Sequence, residues 1–217
     1  PARQAMNGFL KERYPDIESL NSAWGSGFES FEEINGRLDE DSPENFRRDM
    51  RAFLKFYAEA YYRLTAGEMR KVFPNHLYLG SRLHGRAKTN RPVQEAASKY
   101  CDVVSFNIYE YSVSDFETLF EVDKPAIIGE FHFGTASHGV WGTGLRAAYD
   151  LDNQKALYER YIREAARHPS FVGAHWFILY DQLATGRFDG ENFRIGVLNV
   201  TDVPYRELVE GIENAAA

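Results

Sequence analysis

The sequence predicts an α/β protein of about four parallel βα units preceded by N-terminal helices. Two observations carry this. Four short β-rich runs, at residues 76–83, 102–109, 126–133 and 171–179, each have the length of a strand buried on both faces. A helical pattern follows each, at about 93–100, 114–120, 153–167 and 204–214. Strand alternating with helix is the pattern of a parallel sheet built from right-handed crossovers. With 217 residues, 44% hydrophobic and 15% aromatic, the chain has enough apolar surface for a substantial core in a single domain. Residues 1–74 read as its helical part and 75–217 as the βα units.

In chain order, apolar periodicity predicts a helix at about 2–14 and a short one at 17–24, followed by a loop rich in Gly, Asn and Asp up to residue 41. Ser42 is placed to cap a long helix, with Pro43 at its first position and the helix running to about residue 72. Phe46, Met50, Phe53, Leu54, Tyr57, Tyr61 and Leu64 recur at helical spacing and form its expected buried face. There is no internal repeat.

Composition narrows the partners. A net charge of −7, with Lys and Arg interspersed among Asp and Glu, argues against nucleic acid, which needs a basic surface. No run of about 18 apolar residues suggests a membrane span, and residues 1–10 lack the basic-then-apolar order of a secretion signal. A soluble protein is expected, cytoplasmic or secreted after removal of a leader. The single cysteine, Cys101, precedes an apolar run and reads as a packing residue, and no Cys/His set has zinc-site spacing.

In parallel β/α proteins ligands sit at the C-terminal ends of the strands. Polar residues collect there: Ser81, Arg82 and His84 on the first run, Asn107, Tyr109 and Glu110 on the second, Glu130 and His132 on the third, His175, Trp176, Tyr180 and Asp181 on the fourth. Glu130 is the sharpest. It follows Ala126-Ile127-Ile128-Gly129, whose interior should be dry, and a carboxylate there costs several kcal/mol unless paired or solvated in a cleft. The alternative for Glu130 is a structural salt bridge to Arg82 or another base.

Several motifs in order resemble the β-agarases and related β-galactosidase-like enzymes of glycoside hydrolase clan A. They are Ile-Gly-Glu-Phe-His-Phe-Gly at 128–134, Gly-Ala-His-Trp-Phe at 173–177 and Asp-Gly-Glu-Asn-Phe-Arg-Ile-Gly at 189–196. Phe-Leu-Lys-Glu-Arg-Tyr at 9–14 and Leu-Asn-Ser-Ala-Trp-Gly at 20–25 are similar to the segment that follows the fourth barrel strand in those enzymes. Asn-His-Leu-Tyr-Leu-Gly at 75–80 and Val-Ser-Phe-Asn-Ile-Tyr at 104–109 resemble their fifth and sixth strands.

The resemblance implies a partial (β/α) TIM-type barrel, its C-terminal half, and a retaining glycoside hydrolase of β-linked, galactose-containing glycosides. It makes Glu130 the nucleophile, Tyr109 the hydroxyl that positions it and Trp176 an aromatic floor for a sugar ring. Asn107, His132, Asp181 and Glu191 become hydroxyl-binding groups, with Arg82 and His84 as further candidates. No cofactor or metal is implied.

One departure matters. The family's general acid/base is a Glu following an Asn, and no Asn-Glu dipeptide occurs here; Glu44 stands before Asn45 at a helix start, where it stabilises the helix dipole. The proton donor is then another chain or a local carboxylate such as Glu110, Asp181 or Glu191. Open sheet edges also predict that two copies associate to complete a barrel. Two other readings remain from the residues: a metal-dependent hydrolase using Glu130, His132 and His175, and a carbohydrate-binding remnant without turnover. Transglycosylation is a variant of the enzyme reading.

Overall fold

A computed structural model of the protein describes residues 1–35, 41–137, 139 and 141–216. Helix α1 (Ala2–Lys11) and helix α2 (Ile17–Trp24) precede a 3-10 turn at Phe31–Glu33 and the long helix α3 (Glu44–Val72). After α4 (Arg91–Tyr100) come strand β1 (Val104–Asn107), strand β2 (Ala126–Phe131), α5 (Leu151–Arg167), strand β3 (Phe171–Trp176) and α6 (Arg206–Ala216). The strands form one parallel sheet in the order β1-β2-β3.

Local chemistry explains the helix ends. Asp16 accepts from the Ser19 amide at 2.8 Å to open α2, and Gly25 closes it with φ 65°. Asn90 caps α4 through the Val93 amide, with Pro92 in the first turn, where its missing N–H removes nothing. Asp150 caps α5 through the Asn153 amide at 2.8 Å.

Two apolar clusters hold the chain. The larger lies between the sheet and its helices, where Phe131 stacks on Tyr161 at 4.3 Å and 7° and meets Trp176 edge-on at 5.2 Å. Burying each such ring stabilises the fold by about 1.5–3 kcal/mol. The smaller cluster joins α1, α2 and the first half of α3 through Met6, Leu10, Leu20, Trp24, Ile34 and Met50. At its centre the fully buried Asp49 accepts from Tyr14 Oη at 2.5 Å and Trp24 Nε1 at 2.9 Å.

Four expectations are corrected. Residues 76–83 do not form a strand: only Leu83 pairs in parallel with Phe106, through Leu83 N–H to the Ser105 carbonyl and Asn107 N–H to the Leu83 carbonyl. Leu77 is 67% exposed, while Tyr78 packs on the core and exchanges hydrogen bonds with Asp102 without forming a strand. Residues 114–120 are not helical; Phe116 instead packs on Phe106 and Phe171, its carbonyl hydrogen-bonded to His168 Nε2 and the nearby Leu119 amide donating to Gln94 Oε1. The long helix begins at Glu44, so Pro43, not Ser42, occupies the capping position. Its buried residues are Asp49, Met50, Ala58, Tyr62 and Ala66, whereas Tyr57, Tyr61 and Leu64 of the expected stripe are exposed. Ala58 and Tyr62 join the cluster that holds Ala96 and Ala97 of α4, while Met50 of the stripe is buried in the N-terminal cluster with Phe46 and Phe53 packed against it. Cys101 is buried as expected, against Gly80, and burial pushes its thiol up to about 12. Among the described residues no helix is long and apolar enough to cross a membrane.

Candidate active site

Glu130 is the penultimate residue of β2, and an irregularity in the β1–β2 register after Phe106 sets Asn107 opposite it. Its carboxylate is held by three donors. Asn107 Nδ2 donates to Oε2 at 2.6 Å, Tyr109 Oη donates to the same oxygen at 2.7 Å, and Arg82 Nη1 pairs with Oε1 at 2.8 Å. Burial, with the Glu130 carboxylate adding to it, pushes the Tyr109 hydroxyl well above its ordinary value, so it remains a donor. Gly129 makes the third contact possible: a Cβ there would sit 2.5 Å from Ser105 Oγ and 2.7 Å from Arg82 Cδ, blocking the path of the arginine across β2.

These groups face a cleft of about 360 Å3 that is also lined by His84, His132, Leu145, Phe177, Glu191 and Phe193. His132 is 2% exposed, and its Nε2 accepts from the Leu145 amide at 2.8 Å. Burial lowers its pKa to about 4, against a smaller opposing effect of the Phe177 backbone, so the ring is neutral near pH 7 and latches the loop after β2. Gly144, with φ 70°, is required there, because a Cβ would fall 2.5 Å from His132 Nε2. Opposite, Glu191 Oε2 accepts from Gln182 Nε2 at 2.9 Å and pairs with Arg187 Nη1 at 3.3 Å.

No family model matches the chain. Among curated proteins, β-agarase B of Vibrio sp. (strain JT0107) is 38% identical over 216 residues, 97% of this chain and 22% of that protein. β-Agarase A of the same strain is 34% identical over 215 residues, 94% of this chain and again 22% of the relative. Its relatives are β-agarases. A solved exo-β-agarase superposes with a TM-score of 0.88 at 39% identity, over 100% of this chain and 30% of the solved one. The chain thus spans less than a third of the length of the agarases it matches.

In this chain only some of the expected residues share the cleft. Glu130, Asn107, Tyr109, His132, His84 and Glu191 share the cleft, and Arg82 reaches it as the ionic partner of Glu130. Trp176 does not line it; its indole donates to the Ile195 carbonyl at 2.8 Å and its rings pack with Phe131 and Tyr158, while Phe177 takes the place on the cleft wall. Asp181 lies in a different cavity, 6% exposed, with Oδ1 accepting from the Gly196 amide at 2.7 Å and Oδ2 from Tyr205 Oη at 2.6 Å. Glu110, a candidate proton donor, is bonded to Arg146 and paired with Lys88 at 3.4 Å. The Arg146 bond, with the charges of both bases, lowers its pKa, which is the wrong direction for an acid. His175 is exposed, and no group of three His, Cys, Asp or Glu among the described residues could hold a metal ion, so Glu130, His132 and His175 do not form one.

The chain also has residues to which motif reading gave no role. Gln182, 4% exposed, uses every polar group it has: Nε2 to Glu191, Oε1 from the Phe193 amide at 2.7 Å, its amide to the Phe193 carbonyl and its carbonyl from Trp141 Nε1 at 3.0 Å. Arg194, fully buried, donates from Nε to the Thr135 carbonyl at 2.9 Å and from Nη2 to Gln154 Oε1 at 2.7 Å, and lies over the Tyr205 ring. Gln154 in turn donates to the Phe133 carbonyl, and Tyr161 Oη to the Ile108 carbonyl at 2.7 Å. A polar residue flanked by a loop motif was the one available signal for Gln182 and Arg194.

Proposed function

We propose that the chain is the nucleophile-bearing part of a retaining β-glycoside hydrolase acting on a galactose-containing polysaccharide of the agarose type. The observation that carries this is the Glu130 carboxylate at a strand end, both oxygens oriented by Asn107, Tyr109 and Arg82 and turned to a cleft. The agarase names of its relatives point to the substrate class. In the first step a Glu130 oxygen bonds to the anomeric carbon as the bond to the leaving oxygen breaks, and that oxygen takes a proton from a general acid. In the second, water gives a proton to the same group, now a base, and its oxygen displaces Glu130.

Retention needs the second carboxyl about 5–5.5 Å from the first. Glu191 is the other carboxylate on the cleft among the described residues, and it is committed to Gln182 and Arg187. The acid is therefore assigned to polypeptide beyond these residues, a continuation of the chain or a second copy. The same source supplies the remaining strands of a (β/α) barrel, of which the three-stranded sheet and the Leu83 bridge are the part contained here.

An aryl β-galactoside tests this, because its good leaving group needs little protonation. Glu130→Gln is expected to lower turnover at least about a thousandfold with unchanged folding. A 2-deoxy-2-fluoro analogue is expected to label the Glu130 peptide, read by mass spectrometry. An unchanged rate in the variant overturns the assignment, and sugar binding without any turnover replaces it with a carbohydrate-binding role.

A further inference from the structure

Behind the Gln182 wall lies a second groove of about 590 Å3, lined by Trp141, Asp181, Asn199, Thr201, Arg206 and Glu207 among others and sharing no lining residue with the Glu130 cleft. Its size falls within the ~300–1,000 Å3 of small-molecule sites. Its chemistry is selective. The Asp181 carboxylate is held by the Gly196 amide and Tyr205 Oη, and Arg206 and Glu207 carry opposite charges, so the lining keeps a formal charge of −1 that disfavours an anionic ligand. Val200 and Val203, 45% and 54% exposed, join the Trp141 indole as apolar surface beside amide and hydroxyl groups. An apolar wall with an indole and surrounding neutral hydrogen-bonding groups matches a pyranose, which presents C–H faces and peripheral hydroxyls. The cleft between α1 and α3, lined by Met6, Met50, Phe53 and Leu54, has too little of this polar complement.

We infer that the Trp141 groove is a second saccharide-binding site, holding a further stretch of the same neutral polysaccharide whose hydrolysis is proposed above, on which this inference rests. It is one relay from the cleft: Trp141 Nε1 donates to the Gln182 carbonyl, and the Gln182 side chain holds Glu191 on the cleft wall. A chain seated against Trp141 thus bears on a group that faces the substrate.

The chain has three tryptophans, and each indole N–H has its own partner: Asp49 for Trp24, the Gln182 carbonyl for Trp141 and the Ile195 carbonyl for Trp176. In the 15N-labelled protein, titration with an agarose-derived hexasaccharide is expected to shift the Trp141 indole and the Asn107 side-chain amide and leave Trp24 in place. In the Arg206→Ala/Glu207→Ala variant the Trp141 response should weaken at least tenfold while that of Asn107 persists, with an unmoved Trp24 signal reporting an intact fold. A Trp141 response unchanged in that variant overturns the groove, since it would then only follow the cleft through Gln182. A response of Asn107 alone also overturns it and leaves the cleft assignment standing. A response of Trp141 alone supports the groove and rejects the cleft, and silence at both positions rejects both.

Discussion

The N-terminal helices and the βα region are organised around opposite solutions to the same problem, how to fix a buried polar group. In the first, one carboxylate, Asp49, gathers side-chain donors from α1's end and from α2, so three helices converge on a single point. In the second, side chains of α5 and the 190s segment reach to backbone carbonyls: Tyr161 to Ile108, Gln154 to Phe133, Arg194 to Thr135. The first arrangement depends on one residue and can be lost at one position. The second spreads over three contacts, and it is the one beneath the cleft. Helix α3 carries both, with Met50 in the N-terminal cluster and Ala58 and Tyr62 in the other.

The contrast can be broken at graded cost. Phe131→Ala should be the most damaging, about 4 kcal/mol from the empty space beside Tyr161 and Trp176, with loss of the Asn107 side-chain amide signal at the same denaturant concentration as loss of helix. Separation of the two transitions would mean that the cleft does not depend on this stack. Lys55→Pro, in α3 between the two clusters, should cost about 3 kcal/mol or more and split a single unfolding transition into two. Retention of one transition would show that the clusters communicate by a route other than α3.

Acid gives the next effect. His132 has a folded pKa of about 4, below its ordinary 6.5, so the unfolded chain binds the proton more tightly. Its contribution is full above pH ~6.5 and is lost as the pH falls to about 4, removing about 3 kcal/mol. Urea midpoints across this range should fall more steeply for the native chain than for His132→Gln, and equal slopes would exclude His132 as the source. Smallest is Asp49→Ala, about 2 kcal/mol from the stranded Tyr14 and Trp24 donors, expected to loosen α1 and α2 while the Asn107 and Glu130 signals keep their positions in NMR spectra.

Legibility in the sequence follows the same division. The three strands could be read because each is a short apolar run, although β3 leaves Val172 and His175 exposed, and Glu130, Asn107 and Tyr109 because polar residues at such ends have few structural uses. Residues 76–83 read as a strand by composition, but pairing needs a neighbour, and only Leu83 meets one. The first half of the α3 face, with Met50 buried, was legible, but its second half was misplaced because hydrophobicity weights Tyr57 and Leu64 above Ala58 and Ala66, whereas close helix packing favours small side chains. Trp176 looked like a sugar platform from its motif, yet its side chain falls with Phe131 in the aromatic stack. Gln182 and Arg194 act through carbonyl and amide geometry, so their place beside a loop motif marks them without giving their partners.

The carbonyl contacts under the cleft have an evolutionary consequence. Every peptide presents the same oxygen, so Tyr161, Gln154 and Arg194 grip positions 108, 133 and 135 without regard to the side chains there. Loops anchored in this way can exchange the residues that line the cleft while keeping their placement. The chemistry of the cleft wall can therefore drift among descendants of this scaffold with the three gripping residues held constant.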